Sequence, residues 1–256
     1  MTERPGHAHE DGPLEHSHHP DAIRARLSDG PRRSYLKDFV FGAIDGAVTT
    51  FAVVAGVQGA GLSDRVVLIL GIANLAADGF SMAVGNFLGC RSELQQIERA
   101  RRMEERHVER DPAGEREEIR QIYAVKGFDG DILDRIVTHI TGTKKLWVDT
   151  MLREELGLDI APRNPVRAGG STFLAFVGVG LIPLLAFIAR YLWPDLADNA
   201  FAWSASLTAA AFFWVGALKG RIVDQSWWVS GLETLLVGSL AATVAYLAGF
   251  FLRGLA

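Results

Sequence analysis

The chain has a single cysteine, Cys90, among 256 residues. One thiol cannot close an intrachain disulfide, so no cystine framework holds the fold, and the redox compartment is left open. Cys-pair zinc patterns are excluded with it. An excess of positive charge is missing too. Lys and Arg number 26 against 30 Asp and Glu, a formal net charge of −4, and that balance points away from nucleic acid. No nucleophile elbow and no Walker loop occurs, so enzymatic function is a minor reading. No cleavable signal peptide is visible, because the first apolar run begins near Phe39, too late and too long for one.

What the chain does have is apolar sequence. Hydrophobic residues make up 49%, and mean hydropathy is +0.16. The apolar residues are segregated: residues 1–37 and 91–168 are polar, and nearly everything else is not. This reads as an all-α polytopic membrane protein with five transmembrane helices and a soluble helical insert between helices two and three. The spans are expected near 39–61, 66–90, 170–192, 199–218 and 228–252. Residues 1–35 are expected to be a disordered tail. Residues 36–90 hold spans one and two, 91–166 the insert, and 167–256 spans three to five. Pro183 is expected to kink span three. Trp193, Trp203, Trp227 and Trp228 fall at span ends, as interfacial aromatics do. In the insert, helices are expected up to Asp111 and over 114–125, 131–140 and 143–156, with Gly157 as a C-cap.

The tail holds five of the seven histidines: His7, His9, His16, His18 and His19. Such tracts bind metal loosely, or are solvated tails with no specific role. Arg24, Arg26, Arg32, Arg33 and Lys37 precede span one, whereas Arg65 alone lies between spans one and two. Lys219 and Arg221 lie between spans four and five. The alternation puts the N-terminus and insert in the cytoplasm and the C-terminus on the opposite side.

Chemistry concentrates in two places. Span two carries Asn74, Asp78, Met82 and Asn86 at every fourth position, hence on one slowly drifting helical stripe. Span one carries Asp45 and, four residues on, Thr49. An acid at mid-membrane costs roughly 2.5–3.5 kcal/mol. One reading is hydrogen bonding between helices with Met82 as filler. The other is an ion path, which two acids plus a polar stripe favour, since carboxylate, amide and thioether suit a divalent transition metal. Gly42 and Gly46 add a G-x-x-x-G pair, a spacing that permits close helix contact and gives weak support for a dimer.

The second place is the insert. Glu104 and His107 are three apart, and Glu115 and Glu118 repeat that spacing beyond a turn. Met151 and Glu155 are four apart, with Glu154 beside them. Carboxylate and imidazole suit first-row divalent metals. Ordinary salt bridges such as Glu98–Arg102 compete with this reading. A di-iron centre would need a second Glu-x-x-His, and the insert has none.

Three runs carry a family resemblance: Asp45–Gly56 (DGAVTTFAVVAG), Ala77–Asn86 (ADGFSMAVGN) and Met151–Leu158 (MLREELGL). In this order, flanking an insert of this length, they resemble the vacuolar iron transporter family, over residues 36–252. The resemblance implies a homodimer of five-span subunits that exports ferrous iron from the cytoplasm in exchange for protons, along a path between the subunits. It implies roles for Asp45 and Met82 in that path. A further span-two acid is implied, where Asp78 stands with Asn74 one turn earlier. It makes the insert a cytoplasmic metal-binding domain and picks Glu104, His107, Glu115, Glu118, Met151 and Glu155. His107 and Leu152 depart from the family pattern, which has glutamate and methionine there. No permanently bound cofactor is implied: Fe2+ is substrate, with Zn2+, Mn2+ or Co2+ as alternatives. The partners are a second subunit, divalent ions, protons and membrane lipid. A membrane-anchored buffer or sensor is the competing reading. With no eukaryotic sorting signal evident, a bacterial inner membrane is the expected location.

Overall fold

The computed structural model describes residues 17–29, 34–161, 163–193 and 199–255. His7, His9 and His16 of the tail, and Arg32 and Arg33 before span one, lie outside the described residues. The chain divides into two units, Met1–Ser34 and Tyr35–Ala256. In the first, Pro20–Asp29 forms helix α1, where the tail was expected to be disordered. Ala22, Arg24, Ala25 and Leu27 are good helix formers, and Pro20 and Asp21 suit a first turn.

The second unit contains α2 (Leu36–Gly59), α3 (Asp64–Arg110), α4 (Pro112–Val125), α5 (Gly130–Thr141), α6 (Lys144–Glu154), α7 (Pro165–Gly180), α8 (Ile182–Leu192), α9 (Ala200–Ile222) and α10 (Trp227–Leu252). No strand occurs among the described residues. Helices α2, α3, α9 and α10 are each long and apolar enough to cross a bilayer. Helices α7 and α8 qualify only together, as a pair bent by 49°. The bend falls at Leu181, just before Pro183. Proline lacks an N–H and its ring crowds the preceding turn, so the ladder breaks there.

Helix α3 is continuous over 47 residues, roughly 70 Å at 1.5 Å per residue. The sequence expectation ends span two at Cys90, where polarity changes. Polarity is not helicity, and no proline interrupts the run from Asp64 to Arg110. The helix stops at Asp111, which also caps α4. Its side chain accepts the Gly114 N–H at 3.0 Å, and Pro112 fills the first position of the new helix. One residue therefore serves as the hinge of an αα-hairpin.

Helix α2 lies at the centre of the spans. A Cβ added at Gly42 or Gly46 would collide with the backbone carbonyl of Thr172 or Phe176 on α7. The G-x-x-x-G pair is thus used within the chain, and the hint of a dimer drawn from it lapses. Toward its other end, Gly56 and Gly59 meet Ala245, Tyr246 and Gly249 of α10. Contacts advance in step along both pairs, from Gly42–Thr172 to Gly46–Phe176 and from Gly56–Ala245 to Gly59–Tyr246. So α2, α7 and α10 run parallel, and the turn before α10 lies at the end where α2 and α7 begin. Phe51 and Val54 of α2, Phe176 of α7, Leu184 and Phe187 of α8 and Phe212 of α9 belong to the core of the spans.

The far part of α3 packs with α4, α5 and α6 around Ile119, Leu133, Val137, Ile140, Trp147 and Met151. Ion pairs tie the elements together: Arg101 to Asp149 at 2.5 Å, Arg120 to Asp134 at 2.7 Å, Lys144 to Glu109 at 2.5 Å, and Lys126 to Glu154.

Candidate metal-binding sites

The hinge at Asp111 folds α4 back along α3 and sets Glu115, in the first turn of α4, against the last two turns of α3. Glu104, His107 and Glu115 offer ligand atoms that all lie within 4.8 Å of one another. Nδ1 of His107 stands 3.4 Å from Oε1 of Glu115. Glu104 is 2% exposed and Glu115 5%, whereas the imidazole is open to solvent. Each glutamate buries its Oε2 with no hydrogen-bond donor among the described residues. Buried carboxylates without partners are costly, and the usual resolutions are a counter-charge or a metal. Burial pushes Glu115 up to about 7, helped by the negative charges of Glu118, Glu104 and Glu155 and opposed by His107. Glu104 and Glu155 are also held above the usual glutamate range, in both cases mainly by burial. Glu118 and Glu155 belong to this cluster through their charge, although both are exposed.

The remaining insert candidates are placed differently. Met151 is fully buried in the apolar core of the bundle, and Leu152 is buried beside it. Glu154 turns to Lys126, an ion pair that holds the ends of α4 and α6 together. Two carboxylates and one imidazole with orphaned oxygens make a donor set suited to a first-row divalent cation.

Within the spans, a chain of polar contacts links α2 to α3. The buried Thr50 hydroxyl donates to Oδ1 of Asn74 at 3.4 Å, and the Asn74 amide donates to the Asp78 carboxylate. Asp78 is exposed on the outer face of α3. Half-buried Asp45 is near enough to Asp78 for the two charges to act on each other. The Thr49 hydroxyl turns back to the Asp45 backbone carbonyl at 2.9 Å. Met82 packs, half-buried, against the core.

Asn86 is engaged otherwise. Its amide is within hydrogen-bonding distance of Asp38 Oδ1 (3.1 Å), Thr172 Oγ1 (2.7 Å) and the Ala168 carbonyl (3.2 Å), bracing α2, α3 and α7. The other Asp38 oxygen accepts from Arg163 at 2.5 Å. This bracket joins the segment leaving the insert to the spans. Sequence reasoning missed Asp38, Thr50, Arg163 and Thr172. The one available signal was Asp38, an acid just inside an apolar run, which requires a partner.

Apolar helices of spanning length, carboxylates inside them, and a carboxylate–imidazole cluster at the end of one long helix define an integral membrane protein with a candidate cation site. A model of the VIT family matches residues 36–250. Vacuolar iron transporter 2 of rice (Oryza sativa subsp. japonica) is 32% identical over 212 residues, 82% of this chain and 85% of the relative. A vacuolar iron transporter of Toxoplasma gondii is 37% identical over 225 residues, 86% of this chain and 74% of the relative. Vacuolar iron transporter 1 of Arabidopsis thaliana is 31% identical over 212 residues, 82% of this chain and 83% of the relative. The chain belongs to the VIT family.

Proposed function

We propose that this protein exports ferrous iron from the cytoplasm in exchange for protons, working as a homodimer of five-span subunits. The observation that supports the reading is that one continuous helix, α3, carries side chains of both candidate sites. Glu104 and His107 lie on the same α3 as Asp78, roughly 39 and 44 Å beyond it along the axis. The insert, residues 91–166, collects the ion through Glu104, His107 and Glu115, with Glu118 and Glu155 adding negative potential. The ion then passes to Asp45, Asp78, Asn74 and Met82 within the spans. The relatives are named as iron transporters, which supports iron as cargo. The imidazole nitrogen also suits Zn2+ or Co2+, and the carboxylates suit Mn2+.

A second subunit is supported by the exposure of Asp78 among Ile72, Ala76 and Phe80. An ionised carboxylate facing lipid is costly, and a facing copy of α2 and α3 would enclose it in a polar path. Proton coupling follows from general chemistry: a desolvated carboxylate favours its protonated form, and a bound cation favours the ionised form. Metal entering such a site displaces a proton, and a proton arriving from the far side displaces the metal.

A membrane-anchored buffer is the second reading, favoured by one observation: Glu104, His107 and Glu115 come together without any residue from the apolar stretches. Ferrous uptake into proteoliposomes under an imposed proton gradient separates the two. A transporter shows gradient-dependent uptake that is lost in Asp45→Ala. A buffer binds iron and moves none in either protein.

A further inference from the structure

A separate site lies where α9 ends and α10 begins. Trp214, Ala217, Leu218 and Arg221 recur on one face of α9, and with Trp227 they line a cavity of about 450 Å3. The cavity sits at the end of the spans where α2 and α7 start, beside the turn from α9 to α10. Its lining is apolar and aromatic except for Arg221. That guanidinium has no ion pair or hydrogen bond among the described residues. The neighbouring Lys219 is bound to Glu233 at 2.8 Å, and Arg190, at the opposite end of the spans, to Asp64 at 3.1 Å. The aromatic wall is fixed in advance. The Phe213 ring contacts Trp214, Trp227 and Trp228 at centroid distances of 5.9, 6.1 and 5.4 Å, and Trp227 lies 4.2 Å from Trp228.

We propose that this cavity binds an acidic glycerophospholipid, with Arg221 holding the phosphate and the upper acyl chain lying on Trp214, Ala217 and Leu218. The planar guanidinium fork matches paired phosphate oxygens. Tryptophan prefers headgroup depth, and basic pockets between transmembrane helices take anionic headgroups. Trp227 brings the first turn of α10 into the cavity lining, where Ser226 supplies no side-chain cap and the helix dipole favours negative charge. Trp214 is 67% exposed, so none of the described residues covers this wall. A zwitterionic lipid carries its own ammonium beside the phosphate and gains less from Arg221. The inference is independent of the metal route.

Tryptophan quenching in bilayers tests it, with full-length protein and brominated phosphatidylglycerol or brominated phosphatidylcholine diluted into unbrominated phosphatidylcholine. One arginine near a membrane surface gives roughly a fivefold preference for the acidic lipid. Wild type and Arg190→Gln should both show it, in the part of the signal that Trp214→Phe removes. Arg221→Gln should bring the ratio close to one. The same ratio in Arg221→Gln as in wild type, or no preference in wild type, would overturn the assignment. Displacement of the lipid by millimolar sn-glycerol 3-phosphate would overturn it too, giving the cavity to a soluble anion.

Discussion

Metal capture by the α3–α4 cluster has a pH dependence set by its burial. Only the ionised form of a carboxylate ligates a cation. Glu115 titrates near 7, because its surroundings are dry and Glu118, Glu104 and Glu155 are negative. Lowering the pH from 7.5 to 5.5 takes its ionised fraction from roughly three quarters to roughly 3%, so this group alone weakens apparent affinity roughly 25-fold. Glu104 and Glu155, also held high by burial, steepen the fall in the same direction. The assay is isothermal titration of the full-length protein in micelles with ferrous iron under argon, at pH 5.5, 6.5 and 7.5. Two buffers of different ionisation enthalpy count the protons. Binding at pH 6.5 should expel about three quarters of a proton from Glu115, plus the contributions of its neighbours. Affinity that changes less than about twofold across the range, with no proton released, would refute the reasoning.

The same burial fixes the sign for the metal-free protein. A glutamate held above its ordinary value makes the fold less stable as pH rises from the usual glutamate range to about 7, with no further loss above it. Glu115→Gln should therefore stabilise the metal-free insert at pH 8 by about 1–3 kcal/mol while abolishing metal binding, which thermal unfolding followed at Trp147 would show. Glu154→Gln should change metal affinity less than about threefold, because Glu154 serves Lys126; the same titration checks this. Gly46→Ala should destabilise the spans by about 1–3 kcal/mol, since its Cβ meets the Phe176 backbone carbonyl, and a thermal shift in detergent would register it. Arg163→Ala strands Asp38 against Asn86 and should cost about 1–3 kcal/mol in the same assay, with Asp38→Asn partly restoring the loss in the double variant.

Much of this was legible in the chain because lipid imposes simple patterns. Apolar runs marked the helices long enough to span, and Pro183 marked the bend. Asp111-Pro112 marked the hinge that brings Glu104, His107 and Glu115 together. What escaped depended on partners distant in sequence. The polarity change at Arg91 looked like a helix end, yet α3 continues because nothing there breaks its ladder. Gly42 and Gly46 announced close packing without saying that α7 was the neighbour. Asn86 shares the stripe of Asp78, but Asp38 and Thr172, 48 and 86 residues away in sequence, engage its amide. Glu154 and Glu155 are adjacent, and only the position of Lys126 separates a salt-bridge residue from a member of the acidic cluster.

Coupling between iron and protons is tested most directly by letting iron alone drive the proton. Proteoliposomes holding a pH-sensitive dye, with no initial pH difference, receive external ferrous iron. Lumenal alkalinisation that rises in proportion to iron uptake, with both lost in Asp45→Asn, is the expected result. Iron uptake with no change in lumenal pH, or alkalinisation undiminished in Asp45→Asn, would contradict proton exchange through this path.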